Sequence, residues 1–188
     1  MYKNKLFLLL KKLDRKEMTR FRELVTSSYF NKHKEVITLV EYLDKIYPNF
    51  NEKNCDRQKL RPIVFKKKSS AQLQLAFIFT YTKRLLEQFL IIEKQQALDV
   101  FQHVFLLQQL RQKEQLKLYD KQLKTTQEWL AQQAYKDADF QYASYRIAKE
   151  ADHFYEQRRE NKGDDSLLQK KKFLDRFYLS EKFRDACE

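Results

Sequence analysis

One glycine, Gly163, occurs in 188 residues, with two prolines and two cysteines. So little glycine leaves almost no position free to take φ > 0 cheaply. Hairpin-rich β architectures and the Gly-rich loops that cradle phosphates are therefore all but excluded, as are Ser-centred nucleophile elbows. β-branched residues are scarce as well: Val, Ile and Thr total 20, against 26 Leu and 18 Gln. Straight-chain side chains lose little rotamer freedom in a helix, so the composition specifies an all-α protein. The 43% hydrophobic residues, including 15 Phe and 11 Tyr, supply a real core, which excludes disorder.

Cys55 and Cys187 are too few and too far apart for a disulfide framework and read as free thiols in a reducing compartment. The start of the chain imitates a leader peptide, but the apolar run at residues 6–10 ends at Lys11 and Lys12, short of a leader's apolar region. No stretch of about 18 uninterrupted apolar residues exists, so no membrane span is expected and the location is read as cytoplasmic.

What is abundant is positive charge. Residues 1–100 hold 21 Lys and Arg against 11 Asp and Glu, a net of +10, while residues 101–188 hold 17 against 15. Such an excess draws polyanions or acidic partners and raises association rates. Lys11, Lys12, Arg15, Lys16, Arg20 and Arg22, with Lys66, Lys67 and Lys68, make the candidate partner- or polyanion-binding set, and Tyr29 and Phe30 are candidates for stacking on bases. The competing reading is a solvated face, with the aromatics plugging a core.

The spacing predicts a short helix over 6–13, then one from Arg15 to Thr26 opened by Asp14 and Glu17 at capping-box distance. Val36, Leu39, Val40 and Leu43 define a third helix stopped before Pro48, followed by a loop over 49–54. Asp56 caps a turn ending before Pro62, and residues 66–70 read as exposed. Over 73–92 apolar residues cover more than one face, as in a centrally packed spine. From 97 onward the texture becomes long, Gln-rich and amphipathic, with helices over 98–112, 116–133, 137–160 and 167–188. Gly163 is read as the C′ residue of the third of these. Two subdomains follow, a basic helical bundle over 1–96 and antiparallel helical pairs over 97–188, the latter written either as a bundle or as a solenoid-like stack of degenerate repeats.

Leu13-Asp14-Arg15-Lys16-Glu17-Met18-Thr19-Arg20-Phe21-Arg22-Glu23-Leu24-Val25, followed by Ser28-Tyr29-Phe30-Asn31-Lys32, resembles the opening of a family of uncharacterised all-helical bacterial proteins. The end of the chain, Leu174 to Leu179 with Lys182 to Glu188, resembles a second block of that family. The resemblance implies an all-helical fold and a longer chain of which this is the N-terminal part, and it assigns no activity, cofactor or functional residue.

No catalytic or metal signature is legible. His33, His103 and His153 lie 70 and 50 positions apart, none at metal-ligand spacing from another His or a Cys. His103 reads as a satisfied, partly buried imidazole and His153 as a surface residue. The carboxylates Asp137 and Asp139, like Asp164 and Asp165, fall at helix N-termini, where capping explains them. Neither enzymatic activity nor a cofactor is expected. The reading is a protein-interaction or scaffold module with a protein partner, with salt-sensitive nucleic-acid binding through the basic half as the alternative. Phe177, Tyr178 and Phe183 continue an apolar pattern to the end of the chain, as in an array truncated at its C-terminal end, and are the candidate interface for homo-oligomerisation.

Overall fold

A computed structural model describes residues 4–65, 71–97, 99–158 and 163–187. Among these residues every regular element is helical: α1 Lys5–Leu10, α2 Arg15–Thr26, α3 Lys34–Ile46, α4 Glu52–Cys55, α5 Arg57–Phe65, α6 Ala71–Ala97, α7 Asp99–Gln112, α8 Leu116–Ala131, α9 Ala138–Arg158 and α10 Gly163–Cys187. The protein is all-α. It divides into two compact units, Met1–Lys94 and Gln95–Glu188.

The first unit begins with well-capped helices. Asn4 accepts from the Leu6 N–H at α1. At α2 the Asp14 side chain accepts from the Glu17 N–H while Glu17 accepts from the Asp14 N–H, a complete capping box that satisfies two orphan donors reciprocally. Met18, Phe21 and Val25 of α2 are buried against Val36, Leu39, Val40 and Leu43 of α3. Phe7, Phe50 and Phe79 form one ring chain through the core, with centroids 6.5 and 5.6 Å apart, and Phe21 meets Phe89 at 5.7 Å.

Several expected boundaries move. α1 stops at Leu10 rather than 13, and the stretch expected to be a loop over 49–54 instead contains buried Phe50 and the start of α4. α5 runs through Pro62 rather than ending before it. An interior proline costs about 3 kcal/mol, but the helix buries Leu60, Val64 and Phe65, each stabilising by about 1.5–3 kcal/mol, so packing prevails. α6 is not enclosed on several faces: Leu75, Ile78, Phe79, Thr82, Leu85, Leu86 and Phe89 are buried along one stripe, whereas Phe77 and Ile91 are 56% and 57% exposed.

In the second unit α7, α8 and α9 share a core of Val104, Leu107, Tyr119, Leu123, Ile147, Ala151 and Phe154. Tyr119 stacks on Phe154 with centroids 3.7 Å apart. α10 packs along α9 through half-buried Phe177, whose ring lies 5.1 Å from Tyr142. Gly163 is the first residue of α10 and has no positive φ, so it is not the αL cap the sequence suggested. That conformation falls instead to Glu114, at φ 55° after α7. Glu114 N–H donates to the Arg111 carbonyl and Gln115 N–H to Leu110, which is a Schellman motif closed without glycine.

Candidate functional site

Three arginines of the first unit's basic set, Arg15, Arg20 and Arg22, are engaged with carboxylates. Arg15 and Arg22 both converge on buried Asp44, at 2.8 and 2.7 Å from its two carboxylate oxygens. Arg15 also donates to the Asp44 carbonyl and lies over the Tyr47 ring. Arg20 binds Glu93 of α6 through two guanidinium nitrogens, and that hydrogen bond raises the Arg20 pKa. These three arginines fasten α2 to α3 and α6 rather than presenting a common face to a polyanion. Lys11, Lys12 and Lys16 are exposed. Lys66, Lys67 and Lys68 lie outside the described residues.

The same unit carries an aromatic surface that charge counting missed. Buried Asn31 donates to the carbonyls of Val25 and His33 and accepts from the His33 N–H, which fixes the segment bearing Tyr29, Phe30 and His33. Tyr29 is 88% exposed, with its ring 5.0 Å from that of half-buried Phe30. The His33 ring meets Tyr81 at 4.7 Å and Phe77 at 6.2 Å on the outer side of α6. Phe30, Tyr81, Arg84, Gln88 and Ile91 line an adjoining cleft of about 440 Å³. A sequence signal existed in the excess of apolar residues on α6 beyond what one buried stripe requires.

The three C-terminal candidates separate. Phe177 faces α9, whereas Tyr178 and Phe183 are 55% and 69% exposed, together with Leu168 and Leu179. Nothing in the sequence periodicity distinguished the inward ring from the outward ones.

Two buried carboxylates of the second unit are paired with cations. Glu150 accepts from Arg111 Nε at 2.5 Å, and Asp152 binds Lys170 of α10. The Tyr119 hydroxyl has no hydrogen-bond partner among the described residues, and burial raises its pKa. His103 Nδ1 lies 3.1 Å from Thr126 Oγ1 and 3.3 Å from Gln122 Nε2, beside the Trp129 ring, as a satisfied and partly buried imidazole should. Asp137 caps α9 by accepting from the Phe140 N–H. Cys55 is buried and its thiol is pushed up to about 11 by desolvation, while Cys187 is exposed. Among the described residues no cluster of three His, Cys, Asp or Glu has the proximity to hold a metal ion.

Comparison with protein-family models, with curated proteins and with solved structures finds no match for the chain. Among the described residues no helix is long and apolar enough to cross a membrane. The functional reading therefore rests on the residues themselves.

Proposed function

We propose that the chain is a non-enzymatic helical interaction module whose partner is a protein, docked on the outer face of α6. The observation that carries this reading is the exposure of Phe77 and Ile91, 14 positions apart on a helix whose opposite stripe is fully packed. Large side chains of this kind, rimmed by Arg84 and Gln88, resemble the anchors and polar rim of a protein interface. An amphipathic partner helix would lay its i, i+3, i+4 and i+7 anchors along the groove beside Phe30 and Tyr81. Nucleic-acid binding through the basic half is the weaker reading, because Arg15, Arg20 and Arg22 already have carboxylate partners.

The test is capture from the native cell with wild type and with Phe77→Lys plus Ile91→Lys. A stoichiometric protein retained by the wild type and lost by the variant, with circular dichroism unchanged, supports the reading. Retention of the same protein by both, or recovery of nucleic acid alone, contradicts it. Self-association through Tyr178 and Phe183 is proposed as a second, weaker contact. Light scattering of Tyr178→Lys plus Phe183→Lys should then show less concentration-dependent association than wild type.

A further inference from the structure

The polar face of α9 forms a second site, in the half of the chain whose net charge is small. Tyr142, Tyr145, Arg146, Lys149 and His153 occur at i, i+3, i+4, i+7 and i+11, which places them on one side of the helix over about 16 Å. With Gln108, Arg111 and Gln112 of α7 they line a cleft of about 630 Å³, a volume within the range of small-ligand sites.

Charge in this cleft is unbalanced. Glu150 is the one carboxylate among its described lining residues, and it is buried and consumed by Arg111, whose Nη1 also lies 3.4 Å from Gln157 Oε1. Arg146 and Lys149 have no such counter-ion there. Arg146 is instead held in place by aromatic groups: it donates to the Tyr142 hydroxyl at 3.1 Å, and its guanidinium lies 5.7 Å from the Phe101 ring. Lys149 Nζ lies 6.0 Å from the Tyr145 ring. A fork of donors preset beside an ammonium fits a phosphate, since guanidinium matches its oxygens bidentately.

Two further features select the ligand. Tyr142 and Tyr145 flank the cations, and every nucleobase offers a π-face for stacking on such rings. Gln108 supplies an amide that both donates and accepts, as base edges require, and Gln112 adds amide N–H donors, its oxygen accepting from Gln109 Nε2. We propose that the α7–α9 cleft binds the phosphate–base unit of a nucleotide, with Arg146 and Lys149 on the phosphate and Tyr145 against the base. A free nucleotide and a single-stranded nucleic acid present the same unit.

Binding is measured on the whole chain at about 50 mM salt with four probes: 5′-AMP, inorganic phosphate, a labelled oligouridylate of about eight nucleotides and a phosphoserine peptide. AMP and the oligonucleotide should bind, and inorganic phosphate should bind at least about tenfold more weakly than AMP, a difference within the range of one base stack. Similar affinities for AMP and the oligonucleotide would identify the free nucleotide as the source, and markedly tighter oligonucleotide binding would identify a strand. Arg146→Ala with Lys149→Ala should weaken both by about tenfold or more and flatten the salt dependence of oligonucleotide binding by roughly 0.7 in log–log slope, the value for one phosphate contact on a single strand. Lys12→Ala with Lys16→Ala, an equal change in net charge on the first unit, should leave affinity within about threefold of wild type. Tyr145→Ala should abolish the preference for AMP over phosphate. If the double variant fails to fold by circular dichroism, Lys149→Gln alone gives the reading, because its side chain is exposed. No binding of either nucleotide probe, an equal loss in the Lys12 and Lys16 variant, phosphate binding as tight as AMP, or a phosphoserine peptide binding as tightly as the oligonucleotide would each overturn the proposal.

Discussion

The two units treat charge in opposite ways. In the first unit the buried carboxylate Asp44 looks outward to Arg15 and Arg22, whose side chains are 57% and 38% exposed. In the second unit Glu150 is withdrawn together with its partner, Arg111 being only 18% exposed. The first unit therefore keeps its large positive excess wet and stitched across helix surfaces, around a core chained together by phenylalanine rings. The second has a smaller carbon core and relies on ion pairs to join α7 to α9 and α9 to α10. Net charge and charge placement are thus separate quantities. In the half with the larger net charge Arg15, Arg20 and Arg22 engage carboxylates of neighbouring helices, while in the near-neutral half Arg146 and Lys149 line a cleft whose one described carboxylate is taken by Arg111.

The sharpest way to break this comparison is to remove the buried acids in turn. Glu150→Ala leaves Arg111 unpaired in a desolvated position and should cost about 3–5 kcal/mol, read as lost amide protection across α7 and α9 by hydrogen exchange. Asp44→Ala frees arginines that can turn to water and should cost about 1.5–3 kcal/mol, the worth of hydrogen bonds to a charged group. Equal losses at the two sites would erase the distinction.

Smaller effects sharpen it. Glu114→Gly relieves a non-glycine residue of the αL conformation and should stabilise the second unit by about 1 kcal/mol, visible as greater protection of the last turn of α7. Tyr119→Phe removes a buried hydroxyl that has no partner among the described residues and should be neutral or stabilising by up to about 1 kcal/mol while the stack on Phe154 persists. Cys55 gives the first unit a pH dependence in the alkaline range. Its folded pKa of about 11 lies above the ordinary thiol range, so the folded state holds this proton more tightly and the stability this contributes is present below that range and lost as pH rises toward 11. At pH 8 an alkylating reagent should label exposed Cys187 promptly and Cys55 only after denaturation, and equal labelling rates would show that the first core opens readily.

Helix class and most helix starts were legible because they depend on neighbours in sequence. The Asp14–Glu17 capping box is a local pattern and stands as read, and Ala143, Ile147, Ala151 and Phe154, the buried stripe of α9, recur at spacings of 3 or 4. Features decided by distant contacts were not legible. Pro62 sits inside α5 because the burial of three neighbours outweighs its backbone cost, and Phe50 is core because Phe7 and Tyr47 reach it. The αL turn went to Glu114 rather than Gly163, since in a chain with one glycine a turn must form with the residue available. For the sites, summing charge over halves of the chain pointed to α2, whereas Asp44 and Glu93, the residues that engage its arginines, are 22 and more positions away. The face of α9 could have been found by reading polar residues at helical spacing as carefully as apolar ones. Tyr142, Tyr145, Arg146, Lys149 and His153 are as periodic as the core stripe opposite them.

The central claim is that the outer face of α6 docks a protein, and site-specific photocrosslinking in the native cell tests it most directly. A photoreactive residue placed at Phe77 or at Ile91 should join the chain to one and the same protein, and the same residue at exposed Glu41 on α3 should give no such adduct. Adducts of equal yield and identity from Glu41, or none from either α6 position, would contradict the account.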